Sequence, residues 1–222
     1  MRALVALVLL GGLGSAACGG AQPALRMPTD NAASIAMSNV AYGEPRSVGS
    51  MSLCLTSPGV ATITRVGLHQ PSGDIRVEAF ALRPDPFARG LNGVGTDLRP
   101  LAEIGGGFDP RGLQTVRMVC PTEAQRADPT FESMLDEFAV QVSWASGDVS
   151  GGAGLDVAYE ITGVERTAVI PFGIWLCART CPDDVGSPGA GAAGPNGGSA
   201  AALDDLLGNA GDQIRASANP LP

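Results

Sequence analysis

The sequence predicts an all-β protein, built as an antiparallel β-sandwich that is immunoglobulin-like in outline. Two runs near the middle of the chain alternate apolar and polar residues, a third apolar run follows them, and Gly-rich and Pro-rich turns separate the runs. Such alternation is typical of strands that bury one face, because successive side chains point to opposite sides of a sheet. Short strands separated by turn signals are typical of sandwiches and barrels. A small closed barrel is the alternative architecture.

The clearest pattern lies in residues 138–177. One face of the first run consists of Phe138, Val140, Val142 and Trp144, and one face of the second consists of Leu155, Val157, Tyr159 and Ile161. After a short connection, residues 168–177 form the third apolar run, so we expect a three-stranded antiparallel meander. Aromatic residues are scarce in this chain, and we expect these four to be used in the core: Trp144, Tyr159, Phe172 and Trp175.

Further strands are expected upstream. Residues 60–69 and 74–83 flank the turn Gln70-Pro-Ser-Gly73, which predicts a hairpin. Residues 50–56 and 112–120 also have strand character, and residues 130–136 are expected to form one helical turn. The Gly-, Pro- and Asp-rich residues 84–111 are expected to form a solvated acidic loop, of a length that is uncommon in a compact domain.

One domain is expected at residues 48–181, with extensions that do not fold by themselves. Residues 18–47 are interpreted as a tether, and residues 182–200 as a Gly/Pro/Ala-rich linker that cannot bury enough apolar area to become ordered. Residues 201–222 have leucines at helical spacing, which predicts a short amphipathic tail. That tail is interpreted as disordered or docked on the domain, with a partner-binding helix as the alternative.

The first 17 residues have the features of a secretory signal peptide. Arg2 precedes an apolar core at residues 3–13, which is too short to span a bilayer, and small residues follow it. The small residues that end at Cys18 resemble the lipobox of bacterial lipoproteins, although Ser15 stands where leucine is usual. The resemblance implies that Cys18 carries diacylglycerol and becomes the mature N-terminus. Cleavage at the same bond by an ordinary signal peptidase, giving a soluble secreted protein, is the alternative.

The cysteine count agrees with lipidation. If Cys18 is acylated, four of the five cysteines remain as an even set for an oxidising compartment. We expect disulfides Cys54–Cys120 and Cys177–Cys181, worth about 4 and about 2 kcal/mol from loop closure, with Cys54–Cys177 as the alternative pairing. A zinc site is disfavoured, because His69 is the only histidine and a structural site needs four ligands.

Charge and motif content disfavour several function classes. The formal net charge is -8 and no basic stretch occurs, so nucleic-acid binding is not expected. Catalysis by a Ser-His-Asp set would need His69, but no Gly-x-Ser-x-Gly motif accompanies it, and we interpret His69 as a turn-edge residue. The loop carboxylates Asp85, Asp97, Glu103 and Asp109 do not match a calcium-loop spacing. We therefore expect no catalytic residue, cofactor or metal.

These observations favour a non-catalytic cell-envelope lipoprotein, displayed outside the cytoplasmic membrane by a lipid on Cys18. Such a module would bind another protein or an envelope polymer. The alternative is a secreted or envelope hydrolase that uses His69 or the acidic loop at residues 84–111.

Overall fold

The structure is a computed structural model that describes residues 22–29, 32–84, 93–128 and 135–185. The expected signal peptide, Cys18, most of the expected helical turn, the linker from residue 186 and the tail lie outside these ranges. Within them the elements are β1 Leu25–Arg26, β2 Ala33–Met37, β3 Arg46–Ser52, β4 Cys54–Leu55, β5 Ala61–His69, β6 Ile75–Arg83, β7 Thr96–Asp97, a 3-10 turn Leu101–Glu103, β8 Thr115–Val116, α1 Glu123–Arg126, β9 Glu137–Trp144, β10 Val149–Gly152, β11 Gly154–Ile161, β12 Val164–Ile170 and β13 Phe172–Cys177.

Two four-stranded antiparallel sheets enclose the main core, which confirms the all-β sandwich. The β11 sheet has the order β12-β11-β5-β8, and the β9 sheet has the order β6-β9-β3-β7. Their facing sides supply most of the buried apolar side chains, including Val48, Met51, Ile63, Phe138, Val140, Leu155 and Val157. The inward residues of β9 and β11 are those that the alternation predicted.

The predicted meander is confirmed for β11 and β12, which pair antiparallel, and wrong for β9, which belongs to the opposite sheet. Between β9 and β11 the chain leaves the β9 sheet. The Gly-rich strand β10 then pairs with β13, and Gly152 lies opposite Ile174. The third apolar run is divided at Pro171, which has no N–H to donate to a ladder. Its first part, β12, pairs with β11, and its second part, β13, joins a separate three-stranded sheet.

The predicted hairpin at residues 60–83 is also wrong. β5 pairs with β11 through Val66 and Val157, whereas β6 pairs with β9 through Val77 and Val142. The turn at Gln70 does reverse the chain, with positive φ at Gln70 and Gly73. It nevertheless passes from one sheet to the other, because turn residues specify a reversal of direction and not the neighbour of the strand that follows.

The expected tether is folded from residue 22 onward, which corrects the predicted domain start at residue 48. β1 pairs with β4, where Leu25 is buried opposite Leu55. β2 runs parallel to β13, with Ile35 opposite Ile174. This segment is only moderately apolar, but it gains ladder hydrogen bonds along two strand edges, which composition does not reveal.

The described part of the predicted solvated acidic loop instead forms a second layer on the β9 sheet. Residues 93–114, here named the covering loop, pack Leu101, Ile104 and Phe108 onto the outer face of the β9 sheet. That face carries the small residues Ala81 and Ala139, which leave room for the larger loop side chains. Packing of the apolar loop residues outweighs the solvation expected from the composition of this segment.

A buried ion pair ties the covering loop to the sheet. Arg83 of β6 pairs with Glu137 of β9, and both side chains are almost completely buried. Glu137 also accepts hydrogen bonds from the backbone N–H groups of Ser50 at 2.9 Å and Val94 at 2.6 Å. The Arg83 guanidinium lies 4.6 Å from the centroid of the Phe108 ring. The carboxylate therefore joins three segments of the chain at one point.

Candidate functional site

The two expected disulfides are present. Cys54 of β4 is bonded to Cys120, and Cys177 at the end of β13 is bonded to Cys181. Both predicted pairings are confirmed, and the alternative Cys54–Cys177 pairing is wrong. Disulfides form and persist in oxidising compartments, so the two bridges indicate an extracytoplasmic environment.

The second bridge also fastens the chain after β13 to the N-terminal segment. Asn39 donates its backbone N–H to the carbonyl of Arg179 at 3.1 Å. Cys181 donates its backbone N–H to the Ser38 hydroxyl at 3.0 Å. Polar groups on both sides are thereby satisfied at the point where the chain leaves the last strand.

His69 lies at the end of β5, as the sequence predicted, but it is not isolated. Its Nδ1 lies 2.9 Å from Oδ1 of Asp156 on the neighbouring strand β11. The two side chains are 32% and 44% exposed. Within the described part of the chain, Asp156 is the one hydrogen-bond partner of the His69 imidazole ring. Sequence reasoning missed Asp156, because only the register of β5 against β11 brings residues so far apart together.

The acidic residues of the covering loop do not converge. Asp97 pairs with Arg99, whose side chain and then backbone N–H hydrogen-bond to the carboxylate and lower the pKa of Asp97 to about 2. Asp109 accepts the backbone N–H of Arg111 at 3.1 Å, and Glu103 lies in the 3-10 turn. Asp85 lies outside the described residues. Among the residues that the structure describes, no three His, Cys, Asp or Glu side chains are grouped to hold a metal ion.

A polar cluster occupies the outer face of the β9 sheet beside the covering loop. Glu78 of β6 accepts hydrogen bonds from Ser143, from Gln141 at 3.3 Å and from Arg76 at 3.3 Å. The Ser143 hydroxyl is the largest of the causes that lower the pKa of Glu78. Gln141 also accepts the backbone N–H of Leu101 at 3.0 Å. The cluster therefore anchors the loop to the sheet.

Two of the four aromatic side chains expected in the core are fully buried there. Trp144 donates its indole N–H to the carbonyl of Ala41 at 3.1 Å, and the Tyr159 hydroxyl accepts the N–H of Leu25 at 3.3 Å. Phe172 and Trp175 are half-buried on β13. The Trp175 ring lies so close to Gly151 of β10 that a Cβ there would overlap it.

A groove of about 730 Å³ lies at the end of the sandwich where the described chain begins. We name it the N-terminal groove; it is lined by Gln22, Pro23, residues 58–60, Thr62 and residues 160–163. The tight turn between β11 and β12, with positive φ at Thr162 and Gly163, forms one wall. On the other side Pro23 lies close to Gly59. A Cβ added to Gly59 would lie 2.9 Å from the proline ring.

The chemistry of the N-terminal groove is simple. Glu160 is the only ionisable residue among those that line it, and hydroxyl groups come from Thr62 and Thr162. The rest of the lining consists of uncharged residues, among them Pro23, Pro58, Val60 and Ile161. Sequence reasoning missed the groove, because its walls come from three distant segments.

No protein-family model matches this chain, and no curated protein matches its sequence. In the described ranges, no helix is both long enough and apolar enough to cross a membrane.

Proposed function

We propose that the protein is a non-catalytic cell-envelope lipoprotein, displayed outside the cytoplasmic membrane by a lipid on Cys18, where it binds another protein or an envelope polymer. One observation carries the proposal. The two disulfides use four of the five cysteines, so Cys18 is the one left for another chemistry. It stands directly after a leader-like segment, at the position that a lipoprotein signal peptidase would expose.

Binding is favoured over catalysis by the residues that line the N-terminal groove. They combine proline and valine surface with two hydroxyls and one carboxylate. Mostly apolar concave surfaces with a few polar groups are typical of sites that hold a ligand or a partner segment. A negative net charge of -8 also favours neutral or basic partners over nucleic acid.

The mass of the mature, membrane-extracted protein tests the anchor. We expect an N-terminal Cys18 that carries acyl groups, and four alkylated thiols after reduction. Cys18→Ser is the matched control, because it retains both disulfides while removing the acceptor; it should stay unprocessed and without lipid. An inhibitor of the lipoprotein signal peptidase should likewise cause the precursor to accumulate. A mature chain without acyl groups and with five alkylated thiols would refute the anchor in favour of simple secretion.

Hydrolysis at His69 is a second candidate, favoured by the hydrogen bond between His69 and Asp156. A carboxylate that orients a histidine is half of a Ser-His-Asp arrangement. The described carboxylates of the acidic loop at residues 84–111 offer no comparable pair. Hydrolysis of ester and amide substrates should then be lost in His69→Ala and reduced in Asp156→Asn. Equal rates in all three proteins would rule this candidate out.

A further inference from the structure

We propose that the end of the sandwich that carries the N-terminal groove lies against the lipid surface, and that the opposite end projects away from it. This orientation rests on the lipid anchor at Cys18. It goes beyond the anchor, because a protein on a long tether would have no fixed orientation.

The distance between the anchor and the fold is short. Residues 22–26 already belong to the domain, since Pro23 lines the groove and Leu25 is buried in its strand pair with Leu55. At about 3.6 Å per residue at full extension, the stretch from Cys18 to Gln22 reaches at most about 14 Å. The groove end therefore cannot move further than this from the headgroups.

The strands run between the groove end and the opposite end of the sandwich. Thr62 pairs with Glu160 at the groove end, and His69 pairs with Gly154 at the other end. At about 3.3 Å per residue, residues 62–69 of β5 separate these ends by about 23 Å. The chain continues outward from the His69 end, where Ala153 hydrogen-bonds to the His69 carbonyl and β10 and β13 pair further along. The segment that leaves β13 at Cys177 therefore lies on the side away from the anchor.

The surface of the groove end is partly apolar. Three valines there are exposed: Val60 by 43%, Val119 by 41% and Val164 by 53%. Val164 lies on the same face of β12 as the buried Ile170, but at the other end of the strand, where it pairs with Ile161. Apolar side chains at the tip of a fold suit the boundary between headgroups and acyl chains. The neighbouring carboxylates Glu160 and Glu165 disfavour anionic lipid and make a zwitterionic surface the better match.

Tryptophan quenching tests the orientation. The mature protein would be bound to phosphatidylcholine vesicles whose acyl chains are brominated, because bromine quenches tryptophan only at short range. Val164→Trp places a reporter at the groove end. Val169→Trp is the matched control, since it lies on the same strand, is 51% exposed in the native protein and is about 16 Å away at about 3.3 Å per residue. The native Trp144 and Trp175 lie toward the far end and give the background signal.

We expect Val164→Trp to lose most of its added fluorescence on the brominated vesicles, while Val169→Trp behaves as the wild-type protein does. Quenching of Val169→Trp as strong as that of Val164→Trp would overturn the orientation, as would no quenching of either variant on protein that floats with the vesicles. Intact mass separates this failure from failure of the anchor. An acylated Cys18 with the wrong quenching pattern refutes the orientation alone, whereas a mature chain without acyl groups refutes both.

Discussion

The two sheets of the sandwich have the same number of strands but different surroundings. The β9 sheet is covered on both sides, by the main core and by the covering loop. The β11 sheet is covered on its inner side, and its outward residues Asp156 and Glu160 are in contact with solvent. Every strand position in β9 is at least half-buried, whereas β11 and especially β12 retain exposed positions.

The size and charge of the outward residues distinguish a covered sheet from a solvent-facing one. Alternation is present in both β9 and β11. In β9 the outward residues Ala139, Gln141 and Ser143 are small or neutral and the one carboxylate, Glu137, is paired with Arg83, whereas β11 carries carboxylates that are in contact with solvent. A small outward residue leaves space for a second layer, and a charged one would have to be paired if it were buried.

Breaking the ion pair beneath the covering loop should have the largest effect on stability. Glu137→Gln should lower the free energy of unfolding by about 3 kcal/mol, because it removes the buried carboxylate that faces the Arg83 guanidinium. Asp156→Asn makes the same change on the solvent-facing sheet, where it should cost less than about 1 kcal/mol. Denaturant unfolding measures both, and equal losses would contradict the two-layer description of the β9 sheet.

The next effect concerns the apolar contact of the covering loop. Leu101→Ala should destabilise the protein by about 2 to 3 kcal/mol, because Leu101 is fully buried against Ala81 and Ala139. Val169→Ala, which shortens an exposed side chain on β12, should change stability by less than about 0.5 kcal/mol. Limited proteolysis of Leu101→Ala should also cut within residues 93–114 first. A loop that remains resistant would show that Leu101 does not hold it.

Substitution by alanine should lower stability at one glycine and leave it unchanged or raise it at another. An alanine at Gly49 would place its Cβ 2.7 Å from the Glu137 carboxylate and 3.0 Å from the Val94 Cβ, so Gly49→Ala should cost about 1 to 3 kcal/mol. At Gly67 of the β11 sheet an added Cβ meets nothing within 4 Å. Gly67→Ala should therefore be neutral or stabilise by about 0.5 kcal/mol, through loss of unfolded-state entropy. Thermal unfolding distinguishes the two, and a loss at both sites would remove the contrast.

Removing the Asp97 carboxylate at the rim of the covering loop should have the smallest effect on stability. That effect should depend on pH. The pKa of Asp97 is lowered from 3.8 to about 2 by Arg99. A lowered carboxyl pKa contributes stability that is present above the unfolded pKa and is lost as the pH falls toward 2. Asp97→Asn should therefore reduce the acid sensitivity of unfolding between about pH 4 and 2, by under about 1 kcal/mol because the pair is partly solvated.

Salt provides the control for that prediction. Added salt should shrink the difference between Asp97→Asn and the wild-type protein, because it screens the Asp97–Arg99 pair. A difference that does not depend on salt, or that stays constant between about pH 4 and 2, would assign the effect of Asp97 to contacts that do not need its charge.

Local features of the fold could be predicted from the sequence, whereas strand partners could not. The inward faces of β9 and β11 follow from period-two alternation, which is a property of a single strand. The hairpin of β5 with β6 and the pairing of β9 with β11 were wrong, because pairing depends on which sheet a strand enters after each turn. The second core was missed although Leu101, Ile104 and Phe108 carried a signal, since glycines around them indicated a solvated loop.

Among the candidate sites, the disulfides were predictable because cysteine number and spacing limit the pairings. The N-terminal groove was not predictable, because Pro23, Val60 and Thr162 meet only after β1, β5 and β11 have assembled. The contact between His69 and Asp156 depends on register in the same way.

Because β2 pairs with β13, the beginning of the domain cannot complete its folding until the end of the domain is present. Ala33 lies opposite Phe172, so almost the whole domain must be synthesised before β2 can find its neighbour. Contacts between such distant segments form late, since closing a long loop costs entropy before any contact repays it. Loss of the segment after Pro171 would remove β13 and leave β2 without a partner strand, whereas in the complete domain β2 is paired along one edge. Proteases and chaperones that recognise unpaired strands would then act on truncated chains and spare complete ones.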